Sequence, residues 1–222
     1  MDLRQIEVSD SLEDIARLGV VFFKEVVNGV ASQSLRQRFE AVAVELRQAI
    51  GERPITELDS VKRSRNLYHR LGIDPTRNRP SSERLLRKVV QDRQLPLVSK
   101  LVDSVNLASL LHQFPMGVYD WDRIVPPVLV RIGRPEESYV GLSGETVPLE
   151  GKIALVDGEG LFGNPSQDSP RTLTSLGTVR AVVLVWASAE TSKSSLEEAL
   201  KEVIALGREF CEARAGEWGI LG

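Results

Sequence analysis

The stretch LVRIGRPEESYVGLSGETVPLEGKIALVDGEG, residues 129–160, is cut by glycine and proline into apolar pieces too short for helices. Segments 127–133, 139–142, 146–150 and 153–157 are β-branched and bounded by turn residues, and 179–187 repeats the pattern. Together they predict a mostly antiparallel sheet. Outward from this core the pattern changes to helix. Leu35, Phe39, Val42, Leu46 and Ile50 recur every three or four residues, giving an amphipathic helix over 33–50 that Gly51 closes.

A second helix is expected from Pro54 to Leu71, a third over 81–92 and a fourth over 103–113, ended by Pro115. Residues 72–81, with two prolines, read as a connector, and 18–27 as a buried strand closed by Asn28-Gly29. A last helix begins with the capping-box spacing Ser194-x-x-Glu197. The expected fold is α+β, one domain over 1–222, with helices covering the sheet and function carried by loops.

Composition narrows the function classes. The 28 Lys and Arg against 31 Asp and Glu give a net charge of −3, so any polyanion contact must come from a local patch. Residues 62–93 provide one: ten cations against Asp74, Glu83 and Asp92, an excess of +7. Such a stretch is either a pair of solvated helix faces or a surface for a phosphate backbone, with Arg63, Arg77, Arg79, Arg84 and Lys88 as contacts. The single cysteine, Cys211, leaves no internal disulfide, which makes cytoplasm the expected compartment. The opening MDLRQIEVSDSLED lacks an export signal, and no run approaches the ~20 apolar residues of a membrane span, so no membrane partner is expected.

His69 and His112 have no partner at metal-ligand spacing, and neither a G-x-S-x-G elbow nor a P-loop occurs, so no metal and no cofactor is expected. The candidate that remains is VDGEGLFGNPSQDSPRT, residues 156–172. An apolar strand delivers Asp157-Gly158-Glu159-Gly160 at its end, and Asn164, Asp168, Arg171 and Thr172 follow in what reads as one compact loop. Glycines there let a ligand approach the backbone, and Arg171 either pairs with Asp168 or meets a phosphate or carboxylate. The plainer reading is a rigid surface turn.

Four segments bear a resemblance. LPLVSKLVDSVNLASLLHQFPMGVYDWDRI (95–124) and LEGKIALVDGEGLFG (149–163) resemble the B3/B4 domain of the phenylalanyl-tRNA synthetase β subunit. YHRLGIDPTRNRPSSERLLRKV (68–89) and FGNPSQDSPRT (162–172) are similar to segments of its free-standing forms. The resemblance runs from roughly residue 60 to 188. It implies tRNA editing: hydrolysis, in trans, of the ester of a mischarged aminoacylated tRNA, the expected partner. One departure is evident, because Gly117 stands where the synthetase turn has histidine.

On that basis Asp157, Glu159 or Asp168 would orient or deprotonate water, and the N–H groups of Gly158 and Gly160 would hold the oxyanion. Asn106 and Asn164 would bind the aminoacyl group, beside Gly117, Tyr119, Arg171 and Thr172. Burial is expected to raise the pKa of the acting carboxylate. The competing readings are a tRNA or RNA binder without chemistry and a pocket for a free amino acid; oligomeric state is left open.

Overall fold

The computed structural model describes residues 1–92, 95 and 97–222. The fold is α+β, as expected, but its strands divide into more than one sheet. Four antiparallel strands, β2 (Ala16–Lys24), β3 (Met116–Asp120), β10 (Ala181–Ser188) and β11 (Arg214–Leu221), lie in the order β11-β2-β10-β3. A second sheet follows the order β1-β4-β7-β8-β9, from β1 (Ile6–Val8), β4 (Val128–Ile132), β7 (Ile153–Asp157), β8 (Gly160–Asn164) and β9 (Gln167–Asp168). Only its β1–β4 pairing is parallel among the described pairs. β5 (Ser138–Val140) and β6 (Thr146–Pro148) form a two-stranded ribbon.

Side-chain alternation along β2 and β10 explains the layering. Val21, Phe23, Val183 and Val185 face a helical layer. Leu18, Val20, Phe22, Val182, Leu184 and Trp186 face the second sheet and join Val128, Val130, Leu155 and Phe162. Both faces are covered, so these two strands read as unbroken apolar runs. The order of layers is helices, four-stranded sheet, five-stranded sheet.

The helices are α1 (Gln33–Ile50), α2 (Asp59–Arg70), α3 (Ser81–Val90), α4 (Lys100–His112) and α5 (Lys193–Cys211). α1 matches its expected bounds, with Ser32 capping Leu35 N–H and Gly51 at φ +57°. Three boundaries differ. α2 starts at Asp59, because Leu58 is extended after a short turn at Ile55–Glu57, and Asp59 suits the positive helix end. α4 starts three residues early, where Ser99 accepts from Val102 N–H and the Asp103 carboxylate accepts from Val98 N–H. α5 is capped by Ser192 rather than Ser194, the Ser192 hydroxyl accepting from Ser195 N–H at 3.2 Å.

The third helix ends at Val90 with Asp92 at φ +51°; Arg93, in the expected basic patch, lies outside the described residues. The turn expected at 115–120 is instead the edge strand β3, paired with β10, and β11 completes the other edge. Among the described residues no helix is long and apolar enough to cross a membrane.

Candidate functional site

The stretch 157–172 is a three-stranded meander, not one loop, and it separates the expected site residues into two places. At the first, Asp157 ends β7 and a two-residue turn leads to Gly160. Its carboxylate accepts from the N–H groups of Val125 (2.9 Å), Glu159 (2.9 Å) and Gly160 (3.1 Å). Arg171 forks onto the same carboxylate at 2.7 and 3.0 Å and reaches exposed Glu159 at 3.2 Å. Burial raises the Asp157 pKa, but the Arg171 hydrogen bonds and the backbone donors outweigh it and hold the group below the ordinary carboxylate value.

This arrangement corrects four expectations. Asp157 is a buried, ionised anchor rather than a base of raised pKa. Gly158 N–H donates to Val125 O at 2.8 Å and Gly160 N–H to Asp157, so neither is available to an oxyanion. Arg171 pairs with Asp157, not Asp168, and lies over the Phe162 ring at 5.5 Å. A Cβ at 158 would come within 2.8 Å of Val125 Cγ1, so a larger residue there would have to displace the exposed Val125 side chain.

The second place is built around Asp168. Gly163 pairs with Asp168 and Gly160 with Asp157, so the two acids are offset by about 10 Å along β8 at ~3.3 Å per residue and lie on the strands flanking its two sides. The buried Tyr119 hydroxyl donates to Asp168 Oδ1 at 2.6 Å, and the Tyr119 ring meets Phe162 edge-on at 5.4 Å. Segments 103–120 and 157–172 thus meet here in a packed contact, not across a cleft. Burial pushes Asp168 from the ordinary 3.8 up to about 6, against the Tyr119 hydrogen bond and the charge of Arg84. The residue as a whole is half-buried. Burial, and then the Asp168 charge, drive the Tyr119 phenol well above its ordinary value of 10, so it keeps its proton and donates.

Gly117 lies two residues before Tyr119 on the same face of β3. A Cβ at 117 would stand 2.5 Å from the Tyr119 hydroxyl oxygen and 2.9 Å from Cζ. The phenol therefore fills the space that a side chain at 117 would need. That is a steric reason for glycine where the resemblance leads one to expect histidine.

Asn164 shapes the hairpin that carries Asp168. Its Oδ1 accepts from Ser166 N–H (2.7 Å) and Gln167 N–H (3.1 Å), and its Nδ2 donates to Tyr139 at 3.0 Å. Tyr139 in turn donates to Gln167 O at 2.7 Å, tying the ribbon to the hairpin. On the other side Tyr68 shares a hydrogen bond with Ser166 at 2.9 Å, and Arg84 donates to Ser166 O at 2.8 Å. Burial raises the Tyr68 phenol to about 12, so it too stays protonated. A cavity of about 20 Å³ lined by Tyr68, Asn78, Lys152, Asn164 and Ser166 has room for about one water. Sequence reasoning missed Tyr68, Tyr139, Ser166 and Gln167; the Asn-Pro-Ser-Gln order of a tight turn is the signal that could have marked the last two.

The remaining expected residues lie elsewhere. Asn106 is on α4, across the four-stranded sheet from Tyr119 and Asp168. Thr172 is fully buried, and its hydroxyl has no hydrogen-bond partner among the described residues. Burial lowers the pKa of His112 at the end of α4. In the basic stretch, Arg65, Arg79 and Arg87 converge on buried Glu83, Arg77 lies 3.8 Å from Asp74, and Arg63 sits over Phe114 at 5.8 Å. Arg84 and Lys88 are exposed on α3.

The family described as B3/4 domain matches residues 63–212, which include both carboxylate centres and the helices beside them. The chain belongs to that family. Within the B3/4 match fall every expected site residue and the whole basic stretch except Lys62. Among solved structures, this B3/4 protein is similar to "Crystal Structure Of An N-terminal Fragment Of The Phenylalanyl-tRNA Synthetase Beta-Subunit From Pyrococcus Horikoshii". The identity is 16%, the TM-score 0.49, and the match covers 95% of this chain and 50% of that one. The chain therefore spans about half the length of that fragment. No curated protein matches.

Proposed function

We propose that this B3/4 protein, acting as a single domain over 1–222, is a trans-acting deacylase that hydrolyses the ester of a mischarged aminoacyl-tRNA. What supports the reading most is Asp168: a half-buried residue whose carboxylate is held by Tyr119, with a pKa near 6, as a general base working close to neutral pH requires. An aminoacyl ester is already activated, so an oriented water can act without a protein nucleophile.

In the proposed reaction Asp168 takes a proton from water as the water oxygen bonds to the ester carbonyl carbon. The tetrahedral oxyanion collapses, the bond to the ribose oxygen breaks, and that oxygen takes the proton back from Asp168. The products are the free amino acid and the uncharged tRNA terminus. Tyr119 holds Asp168 in place and keeps its own proton throughout. Arg84, exposed and bonded to the same hairpin, adds positive charge near the developing oxyanion. Asn164 maintains the hairpin and is a scaffold for the reaction rather than a ligand to the substrate.

Incubating the pure protein with a panel of mischarged tRNAs tests this reading. Ester loss above the spontaneous rate for at least one substrate, abolished by Asp168→Asn, is expected; no cleavage of any would remove the enzyme reading. The alternative is a tRNA binder without chemistry. It is favoured by one observation, that the Gly158 and Gly160 amides are already committed inside the protein. A gel shift with uncharged tRNA, in the absence of any hydrolysis, would establish it.

A further inference from the structure

We infer that Arg65, Arg79 and Arg87, gathered on Glu83, form a phosphate-binding surface for the tRNA backbone. Glu83, in the first turn of α3, is fully buried. Arg65 from α2 forks onto it at 2.7 and 2.9 Å, which by itself neutralises the carboxylate with good geometry. Arg87, one turn further along α3, adds a bond at 3.0 Å, and Arg79 from the connector stands 3.4 Å away without a hydrogen bond. Three guanidinium groups on one carboxylate leave an excess of +2 at contact distance, an arrangement that an anion on the outer side would relieve.

One feature leaves the cluster open to an anion. The three side chains retain 17%, 34% and 32% exposure, so the cluster is not sealed from solvent. The Nε of Arg79 is buried and faces Glu83 at 3.4 Å without a hydrogen bond, so only the outer part of that side chain is left for an anion. Guanidinium groups already held in position lose little freedom when a phosphate binds.

The surface also has a direction. Arg84 and Lys88 are exposed one turn apart on α3, and Arg84 is bonded to the hairpin that carries Asp168. The cations therefore lead from the Glu83 cluster to the proposed reaction centre, across two helices and a connector. That spread suits a polymer of phosphates rather than a single ion. The inference rests on the tRNA reading above, and binding of uncharged tRNA is measured separately from ester cleavage.

The experiment is fluorescence anisotropy of labelled uncharged tRNA from 50 to 300 mM KCl, with the melting curve of each variant recorded alongside. Arg79→Gln and Arg87→Gln are each expected to flatten the slope of log K against log salt by about 0.9, one lost phosphate contact. Arg214→Gln removes the same charge from β11, where the pairing with Glu25 is long at 3.7 Å, and is expected to leave the slope as it was. Should Arg87→Gln fail to fold, Arg79→Gln carries the test, because the Arg79 side chain makes no hydrogen bond to Glu83.

Inorganic phosphate at matched ionic strength is expected not to displace the tRNA. Slopes for Arg79→Gln and Arg87→Gln equal to that of Arg214→Gln would overturn the inference, as would displacement by inorganic phosphate. Ester cleavage without measurable binding at 50 mM KCl would overturn the surface and leave the deacylase standing. Binding with the expected slopes but no cleavage would do the reverse.

Discussion

Arg171 grips Asp157 through both guanidinium nitrogens, whereas Asp168, eleven positions on, receives its hydrogen bond from the Tyr119 phenol. Two acids of the same meander are thereby pushed in opposite directions, one below the ordinary carboxylate value and one above it. In the proposed reaction these opposed environments separate an anchor, Asp157, from the base, Asp168.

Asp168→Asn should stabilise the fold while removing activity. The folded pKa of about 6 lies above the ordinary 3.8, so between these values the folded protein holds a proton that the unfolded chain has lost. Stability from this group therefore falls as pH rises across that window, by up to about 3 kcal/mol at ~1.4 kcal/mol per unit. Urea melts at pH 4 and pH 8 should show the variant gaining on the wild type at pH 8. An equal loss of stability at both values would contradict the account.

Tyr119→Phe should shift the pH–rate profile. The Tyr119 hydrogen bond lowers the Asp168 pKa, so its removal should move the acid limb of kcat/KM to higher pH, with a smaller change in the plateau. An unmoved limb would mean that Asp168 is not the titrating base.

Gly117→Ala should cost about 1–3 kcal/mol by overpacking against the Tyr119 ring. In a Tyr119→Ala background the same substitution should cost much less. A double-mutant cycle by urea denaturation measures the coupling, and additive effects would show that the ring is not the obstacle.

Glu83→Gln should destabilise by about 3–5 kcal/mol, because three guanidinium groups would lose their shared counter-charge. Burial raises the Glu83 pKa, but its bonds to Arg65 and Arg87 lower it further, to below the ordinary 4.5. Its contribution is therefore present above that value and lost as pH falls through the folded one. Chevron or equilibrium melts from pH 7 to pH 3 should show the wild type converging on the variant.

Much of the fold was legible because burial leaves a periodic trace. Leu35, Phe39, Val42 and Ile50 mark one face of α1, and the apolar runs of β2 and β10 mark strands covered on both sides. β3 and β11 were missed because glycines interrupt the alternation of an edge strand in both, and β3 is only five residues long. Within residues 157–172 the spacing suggested the wrong partner for Arg171. Spacing places Arg171 closer to Asp168 than to Asp157, but the β7–β8 turn brings Asp157 into its reach and leaves Asp168 to a tyrosine 49 positions earlier. The basic stretch showed its charge but not Glu83 as its hub, since an acid within a cationic run does not announce its burial.

The hairpin bearing Asp168 is fastened by groups remote in the chain: Tyr119 at 49 positions, Arg84 at 82 and Tyr68 at 98. Loop-closure entropy opposes such distant attachments, so they form late in assembly. A refolding chain would then recover its far-ultraviolet helical signal before the proposed ester cleavage, and the interval between the two would time the final docking of that short hairpin.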